Sequence, residues 1–400
     1  MKNTIIAICL FVALLIPGIN VMGQEGEELN AIQTVVPFLT IAPDSRAGAM
    51  GDIGVSTSAD IYSMHWNPAK YAFIDGEGGL GIAYSPWLRT LVPDINLAYL
   101  VGYFRLDDNQ VISTSLLYSS LGDIPFTDNF GNEQLVFRAN EFSLDAGYSR
   151  KLTENFSGAI ALRFIYSNLT GGYFDGTTET KPGISFASDI SFYYLNQIDI
   201  AGKDGEINAG TNISNLGSKM SYTDDREPDF IPMNFRLGAG SAIYLDRYNK
   251  IALNLEMNKL LVPTPPIYAV DLSGNPILDD NGDQVIESGK DPNVGVPVAI
   301  FQSFADAPGG FKEELREITY SVGMEYLYNK QFAIRGGYFH EHASKGNRKY
   351  FTAGAGIKMS VFALDFSYLM PIVNNHPLAR TLRFSLSFDF DAFRSVKSSG

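Results

Sequence analysis

A single cysteine, Cys9, is all the thiol chemistry available to this 400-residue chain. It lies in an apolar stretch near the N-terminus, so the remainder can build neither a disulfide framework nor a zinc–thiolate site. It also sits too early to be the acylated cysteine of a lipoprotein. Charged residues make up only 18%, against a usual quarter. The 30 Lys and Arg are outnumbered by 44 Asp and Glu, giving a net charge of -14. That balance argues against a nucleic-acid partner, which needs a basic stripe. Past the N-terminus no apolar run reaches the roughly 18 residues a membrane helix requires. No G-x-S-x-G elbow marks a serine nucleophile, and four histidines and two tryptophans leave few candidates for catalysis. What is plentiful is Gly (38), Tyr (21) and Phe (27), a composition that favours strands.

Residues 1–23, "MKNTIIAICLFVALLIPGINVMG", read as a secretory signal peptide. Lys2 is the basic end, Ile5 to Ile16 is an apolar core too short to span, and Pro17 and Gly18 break it before Val21-Met22-Gly23.

From about residue 79 onward the dominant rhythm is alternation. In "TLRFSLSFDF", Leu382, Phe384, Leu386, Phe388 and Phe390 share one face, and Arg383, Ser385, Ser387 and Asp389 the other. Period two means a strand with one apolar and one wet face. "VFALDFSYLM", "ITYSVGMEYLY" and "KIALNLEMNK" repeat the pattern. About fourteen such segments follow one another: 79–86, 95–106, 110–120, 135–150, 155–168, 183–197, 205–214, 233–246, 249–261, 315–329, 331–342, 348–359, 361–370 and 380–390. Many reach the roughly 10 residues that a tilted strand needs to cross a bilayer. Tight turns alternate with longer connections at 87–94, 121–134, 169–182, 215–232, 262–314, 343–347 and 371–379. Short turns on one side and long loops on the other are the layout of an outer-membrane barrel. A soluble sandwich would not explain the signal peptide, the strand lengths and the turn asymmetry together. A propeller would show a repeat of about 40–50 residues, which is absent. The expectation is an all-β, transmembrane, antiparallel up-and-down β-barrel of about fourteen strands. Its domains are a signal peptide (1–23), an N-terminal hatch inside or under the barrel (24–78), the barrel (79–390) and a tail (391–400). Gly102, Gly147, Gly323, Gly337, Ala353 and Ala355 are expected to face the lumen and leave room for that hatch.

Four segments carry a family resemblance. "FLTIAPDSRAGAMGDIGVSTSADIYSMHWNPAKYAF" (38–73), "FADAPGGFKEELREI" (304–318), "GGYFHEHASKGNRKYFTAGAGIKM" (336–359) and "TLRFSLSFDF" (381–390) resemble the PorV family, outer-membrane components of the type IX secretion system. The resemblance runs from about 36 to 390 in the same order, with 121–235 the least distinctive part. More widely the chain resembles FadL-type barrels of fourteen strands, whose N-terminal hatch carries an Asn-Pro-Ala element, here Asn67-Pro68-Ala69. The resemblance implies a docking and shuttle barrel in the cell outer membrane, not an enzyme. Its implied partners are the C-terminal signal domains of secreted cargo, the translocon barrel, a sortase-like attachment complex, and outer-membrane lipid and lipopolysaccharide. The alternative is a FadL-like transporter of small hydrophobic molecules.

The candidate residues follow. Trp66, Asn67, Pro68 and Ala69 form the expected core of the hatch. Ser58 is expected to cap a turn ending at Trp66, Asn67 and Pro68 to open the next, and Lys70 to meet a lumenal carboxylate. In the longest loop, 262–314, Val298, Ile300, Phe301, Phe304 and Phe311 are candidate partner-binding residues, because long loops and exposed apolar patches usually serve interaction. The competing reading has the loop bury them against the barrel mouth. His340-Glu341-His342 sets two imidazoles on one strand face but lacks further ligands, so rim polarity is the simpler reading and no metal is expected. Asp279, Asn281 and Asp283 begin like a calcium loop, but Gln284 and Lys290 break the pattern, and Asn281-Gly282 reads as a hairpin turn. "KGNRK" (345–349) is either a solvated turn or a contact for lipopolysaccharide phosphate. No catalytic residue and no cofactor are expected.

Overall fold

The computed structural model describes residues 29–391 except 89–91, 93, 128–132, 173–178 and 374–375. The expected signal peptide (1–23), residues 24–28 of the expected hatch and residues 392–400 therefore lie outside the described residues. Sixteen strands appear: β1 (Gly78–Pro86), β2 (Ile95–Asp107), β3 (Gln110–Thr127), β4 (Glu133–Lys151), β5 (Phe156–Asn168), β6 (Gly183–Ile200), β7 (Lys203–Gly217), β8 (Asn234–Tyr244), β9 (Asn249–Leu260), β10 (Ile267–Tyr268), β11 (Ile286–Ser288), β12 (Thr319–Tyr328), β13 (Phe332–His340), β14 (Lys349–Lys358), β15 (Phe362–Pro371) and β16 (Leu382–Asp389). All but β10 and β11 close into one fourteen-stranded barrel, each strand antiparallel to its neighbours in sequence order. The seam pairs β1 with β16, Ile82 opposite Leu386 and Tyr84 opposite Phe384. Closure leaves no open edge, so the wall's backbone groups are bonded between strands, as lipid demands.

The alternation sets the two faces. Ile82, Leu100, Ile160, Leu162, Phe186, Leu253, Leu255, Val322 and Met324 point outward and are exposed, an apolar belt suited to acyl chains. The opposite face is small and polar, with Ser143, Ser149, Ser157, Ser191, Asn212 and Ser385 all buried. Six short connections, such as 108–109 and 201–202, lie at one end, and the long ones lie at the other.

Two expectations are corrected. The segment 121–134 is mostly strand, because β3 and β4 run to 18 and 19 residues and make a tall hairpin well past bilayer height. Gly147, Gly323 and Gly337 do face the N-terminal segment, but Gly102, Ala353 and Ala355 face outward. In β14 it is Thr352, Gly354 and Gly356 that turn inward; both faces there are small, so size did not distinguish them.

Candidate functional site

Residues 29–77 thread the lumen. Their hold on the wall begins with local grammar at "MHWNPAKYAF". Pro68 disfavours helical geometry at the residue before it, and Asn67 is extended, with φ -163°. Asn67 then caps the 3-10 helix Pro68–Phe73, its Oδ1 accepting from Ala69 N at 3.1 Å. Its Nδ2 donates to Val55 O and to Phe192 O in β6, at 2.9 and 3.0 Å. Trp66 is 3% exposed. Its Nε1 donates to Asp44 Oδ1 at 2.7 Å, its carbonyl accepts from Asn212 Nδ2 at 3.0 Å, and Arg236 lies 4.8 Å from its ring centre. Ser149 and Ser157 donate to the carbonyls of Pro68 and Ala69, both at 2.7 Å. Two details differ from expectation. Ser58 does not cap the helix Ser63–Trp66, whose N-cap is Tyr62 without a side-chain cap; Asp60 Oδ1 accepts from Tyr62 N and Ser63 Oγ just before it. Lys70 is fully buried, and its Nζ donates to Gly54 O (2.8 Å) and Thr57 Oγ1 (3.0 Å) rather than to a carboxylate.

The anchors come from around the ring. Glu256 Oε2 in β9 accepts from Gly54 N and Val55 N at 2.9 Å each. Thr352 Oγ1 accepts from Gly51 N and donates to Ala49 O. Arg46 bridges Asp60 (2.6 Å) and Glu325 of β12 (3.0 Å). Tyr62 OH stands over the seam, within hydrogen-bond reach of Ile82 O in β1 (3.1 Å) and Leu386 O in β16 (3.0 Å). At Gly210 and Gly337 the wall must lack a side chain, because a Cβ would come within 2.1 Å of Val55 O or Met50 C.

The segment divides the interior into two chambers of about 250 Å³ each. The one toward the short turns is lined by Arg46, Asp60, Arg335, Asp365 and Asp389. The one toward the long loops is lined by Trp66, Asn234, Arg236, Asn258, Glu317, Lys345 and Tyr350, among others.

The long connection 261–318 divides into a hairpin and a flap. β10 and β11 form the hairpin, tipped by Asp279, whose Oδ1 accepts from Asn281 N and Asp283 N, with Gly282 at φ 89°. The flap contains the helices Val296–Gln302 and Phe311–Arg316. It buries some of the candidate residues and leaves others exposed. Ala299 is buried and Ile300 packs against the core, while Val298, Phe301, Phe304 and Phe311 remain 54, 79, 51 and 77% exposed. Phe304, Phe311, Leu315 and Ile318 border an apolar pocket of about 150 Å³ against Phe235 of β8 and Met257 of β9.

A buried charge cluster, missed in the sequence, pins the flap. Lys259 Nζ meets Glu314 (3.0 Å) and Glu317 (2.6 Å), and Lys345 Nζ meets Glu313 (2.6 Å) and Glu317 (3.1 Å). Thr264 Oγ1 donates to Glu317, and Thr264 N to Asp306 Oδ2. Burial pushes the Asp306 carboxyl up to about 6, with Glu314 and Glu317 adding to the rise. Lys259 shares the outward face of Leu253, Leu255 and Met257; a cation on an otherwise apolar strand face was the available signal.

Lys345 is therefore no exposed cation at a loop tip, and Arg348 is held by Glu341 at 2.7 Å. Both are paired with protein carboxylates, so the stretch is not a freely solvated turn; Lys345 is buried, while the Arg348 side chain remains 44% exposed. His340 meets Tyr338 OH and His342 caps Ser344, while His376 accepts from Leu378 N. His65 is buried edge-on to Trp66.

Among solved structures, the toluene transporter TodX of Pseudomonas putida is 10% identical, with 90% of this chain and 99% of that one covered and a TM-score of 0.49. The toluene transporter TbuX of Ralstonia pickettii is 10% identical over 87% and 96%, with a TM-score of 0.44. A FadL homologue of Pseudomonas aeruginosa is 10% identical over 90% and 100%, with a TM-score of 0.42. No curated protein matches the chain. The family model for type IX secretion system protein PorV matches residues 24–267, well over half of the sequence. The closed barrel with its outward apolar belt is an outer-membrane one. The chain belongs to the PorV family of type IX secretion system proteins.

Proposed function

We propose that this barrel is a docking and shuttle protein of the type IX system. Its outer flap receives the C-terminal signal domain of secreted cargo at the translocon and presents the cargo to a sortase-like attachment complex. The observation that carries the reading is the flap itself. Val298, Phe301 and Phe311 are exposed on two short helices and Phe304 in the turn between them, and ion pairs of Glu314 and Glu317 fasten the end of the second helix to the barrel rim. Exposed aromatic side chains on a fixed support are what a partner-binding face requires, since little ordering entropy remains to be lost on binding.

The residues 29–77 act as a hatch in this reading, and Trp66, Asn67, Pro68 and Ala69 are its centre. A lumen so occupied weighs against a transporter of small hydrophobic molecules. The test is replacement of Phe301, Phe304 and Phe311 together by Ser, with the barrel extracted from outer membranes and its partners identified. Cargo signal domains are expected to co-purify with the parent protein and to be lost from the variant. Undiminished capture by the variant would sink the assignment of the flap.

A further inference from the structure

Most charged groups around the outer chamber have a protein partner. Glu317 is held by Lys259 and Lys345, Glu341 by Arg348, and Asp52 by Arg383 and Tyr350. Arg236 differs. Its side chain projects into the lumen from β8, the residue is 5% exposed, and it forms no ion pair among the described residues. Its one hydrogen bond runs from Nη1 to His65 O at 3.3 Å, and its face rests on Trp66. Glu256, the carboxylate acting on it most strongly through space, has Oε2 committed to Gly54 N and Val55 N and Oε1 buried without a hydrogen-bond partner; Asp189 and Asp52 act on the guanidinium more weakly.

A guanidinium has five N–H donors in a planar fork, and stacking on an indole occupies its face, not its edge. The edge of Arg236 borders a chamber of about 250 Å³. Asn258 lies directly across the strand pair and Asn234 is two residues along on the same face, both lining the same chamber. Carboxylates that act on Arg236 only through space leave its donors without a direct charged acceptor, and amides flanking a guanidinium complete a donor set for an anion.

We propose that the outer chamber is a binding site for a small oxyanion, a carboxylate or a phosphate group, gripped by the free edge of Arg236 between Asn234 and Asn258. The grip comes from β8 and β9 rather than from the exposed aromatic residues of the flap, although the chamber also borders Glu317 and Lys345, and it does not depend on cargo docking. The anion would give Arg236 the direct ion pair that it lacks among the described residues, and would sit at the Trp66 end of the N-terminal segment.

The experiment uses the full barrel in detergent with Trp87→Phe, so that the remaining indole, Trp66, reports on the chamber. Inorganic phosphate and acetate are titrated separately against chloride at constant ionic strength. A saturable change in Trp66 fluorescence is expected with at least one of them, and whichever saturates names the group. Arg236→Gln should weaken that response about tenfold or more, the loss expected for a charged hydrogen-bonding group. Asn258→Asp places a carboxylate across the strand from Arg236, so it should abolish the response while raising the thermal midpoint. Heat-dependent gel mobility checks that each barrel is folded, and Asn258→Asp keeps the test intact should Arg236→Gln fail to fold. No saturable response in the parent, or the same response in a folded variant, would overturn the proposal.

Discussion

Trp66→Ala separates the stability of the N-terminal segment from that of the wall. Trp66 is 3% exposed, yet it belongs to no strand, so its removal leaves the ladder of the barrel untouched. Truncating a buried Trp to Ala costs about 3–5 kcal/mol. Here the loss also strips Asp44 of the Nε1 donor at 2.7 Å, leaving it the N–H of Ala47. That cost falls on local opening of the segment rather than on global unfolding. At about 1.4 kcal/mol per decade it raises the open population by about two to three and a half orders of magnitude. Hydrogen exchange of residues 44–73 reads this directly, with the strands as internal control. Ion conductance of the reconstituted protein should rise in parallel. Unchanged protection across 44–73, with strand protection equal to the parent's, would refute the view that Trp66 is the keystone of the packed lumen.

Other outcomes follow from the flap. Glu317→Gln leaves Lys259 and Lys345 without their shared carboxylate; a loss of about 3 kcal/mol should raise protease cleavage within 262–318 by about two orders of magnitude. No rise would mean that the cluster does not hold the flap. Asp306 carries a pH signature: its carboxyl moves from 3.8 when free to about 6 when docked, chiefly through burial. A raised carboxyl favours the docked state below about pH 4 and loses that benefit as the pH climbs through about 6. Flap protection should therefore fall from pH 5 to 7, and Asp306→Asn should flatten the profile while still accepting from Thr264 N; an identical slope in the variant would disprove it.

The barrel was legible because lipid imposes a two-residue period that no loop imitates. Phe384, Leu386 and Phe388 announce one face of β16 as plainly as Arg383 and Ser385 announce the other. Legibility ended where that contrast fades. In β14 the outward Ala353 and Ala355 match the inward Gly354 and Gly356 in size, so the face cannot be read from bulk. Above the membrane the wall has water on its outer side, and polar residues such as Asp123, paired with Arg138 across the hairpin, continue β3 through a stretch that reads as loop. The capping of Pro68–Phe73 by Asn67 was readable because its partners are near in sequence. The cluster at Glu317 was not, because it draws on residues 259, 264 and 345.

The hydroxyl of Tyr62 reaches one carbonyl on each side of the seam, and that has a bearing on assembly. Hairpins between consecutive strands form early, since their loop-closure cost is small, whereas joining the first strand to the last spans about three hundred residues. A seam slipped by two residues would preserve every lipid-facing side chain, so the bilayer alone cannot reject it. Tyr62 can: the slip carries Leu386 O away from it while Ile82 O stays. Ser45, bonded to Ser385 Oγ at 2.8 Å, would be displaced by the same movement. The N-terminal segment, which precedes every strand of the wall, thus serves as a gauge for the last strand, and a closed ring that admits it is a ring in the correct register.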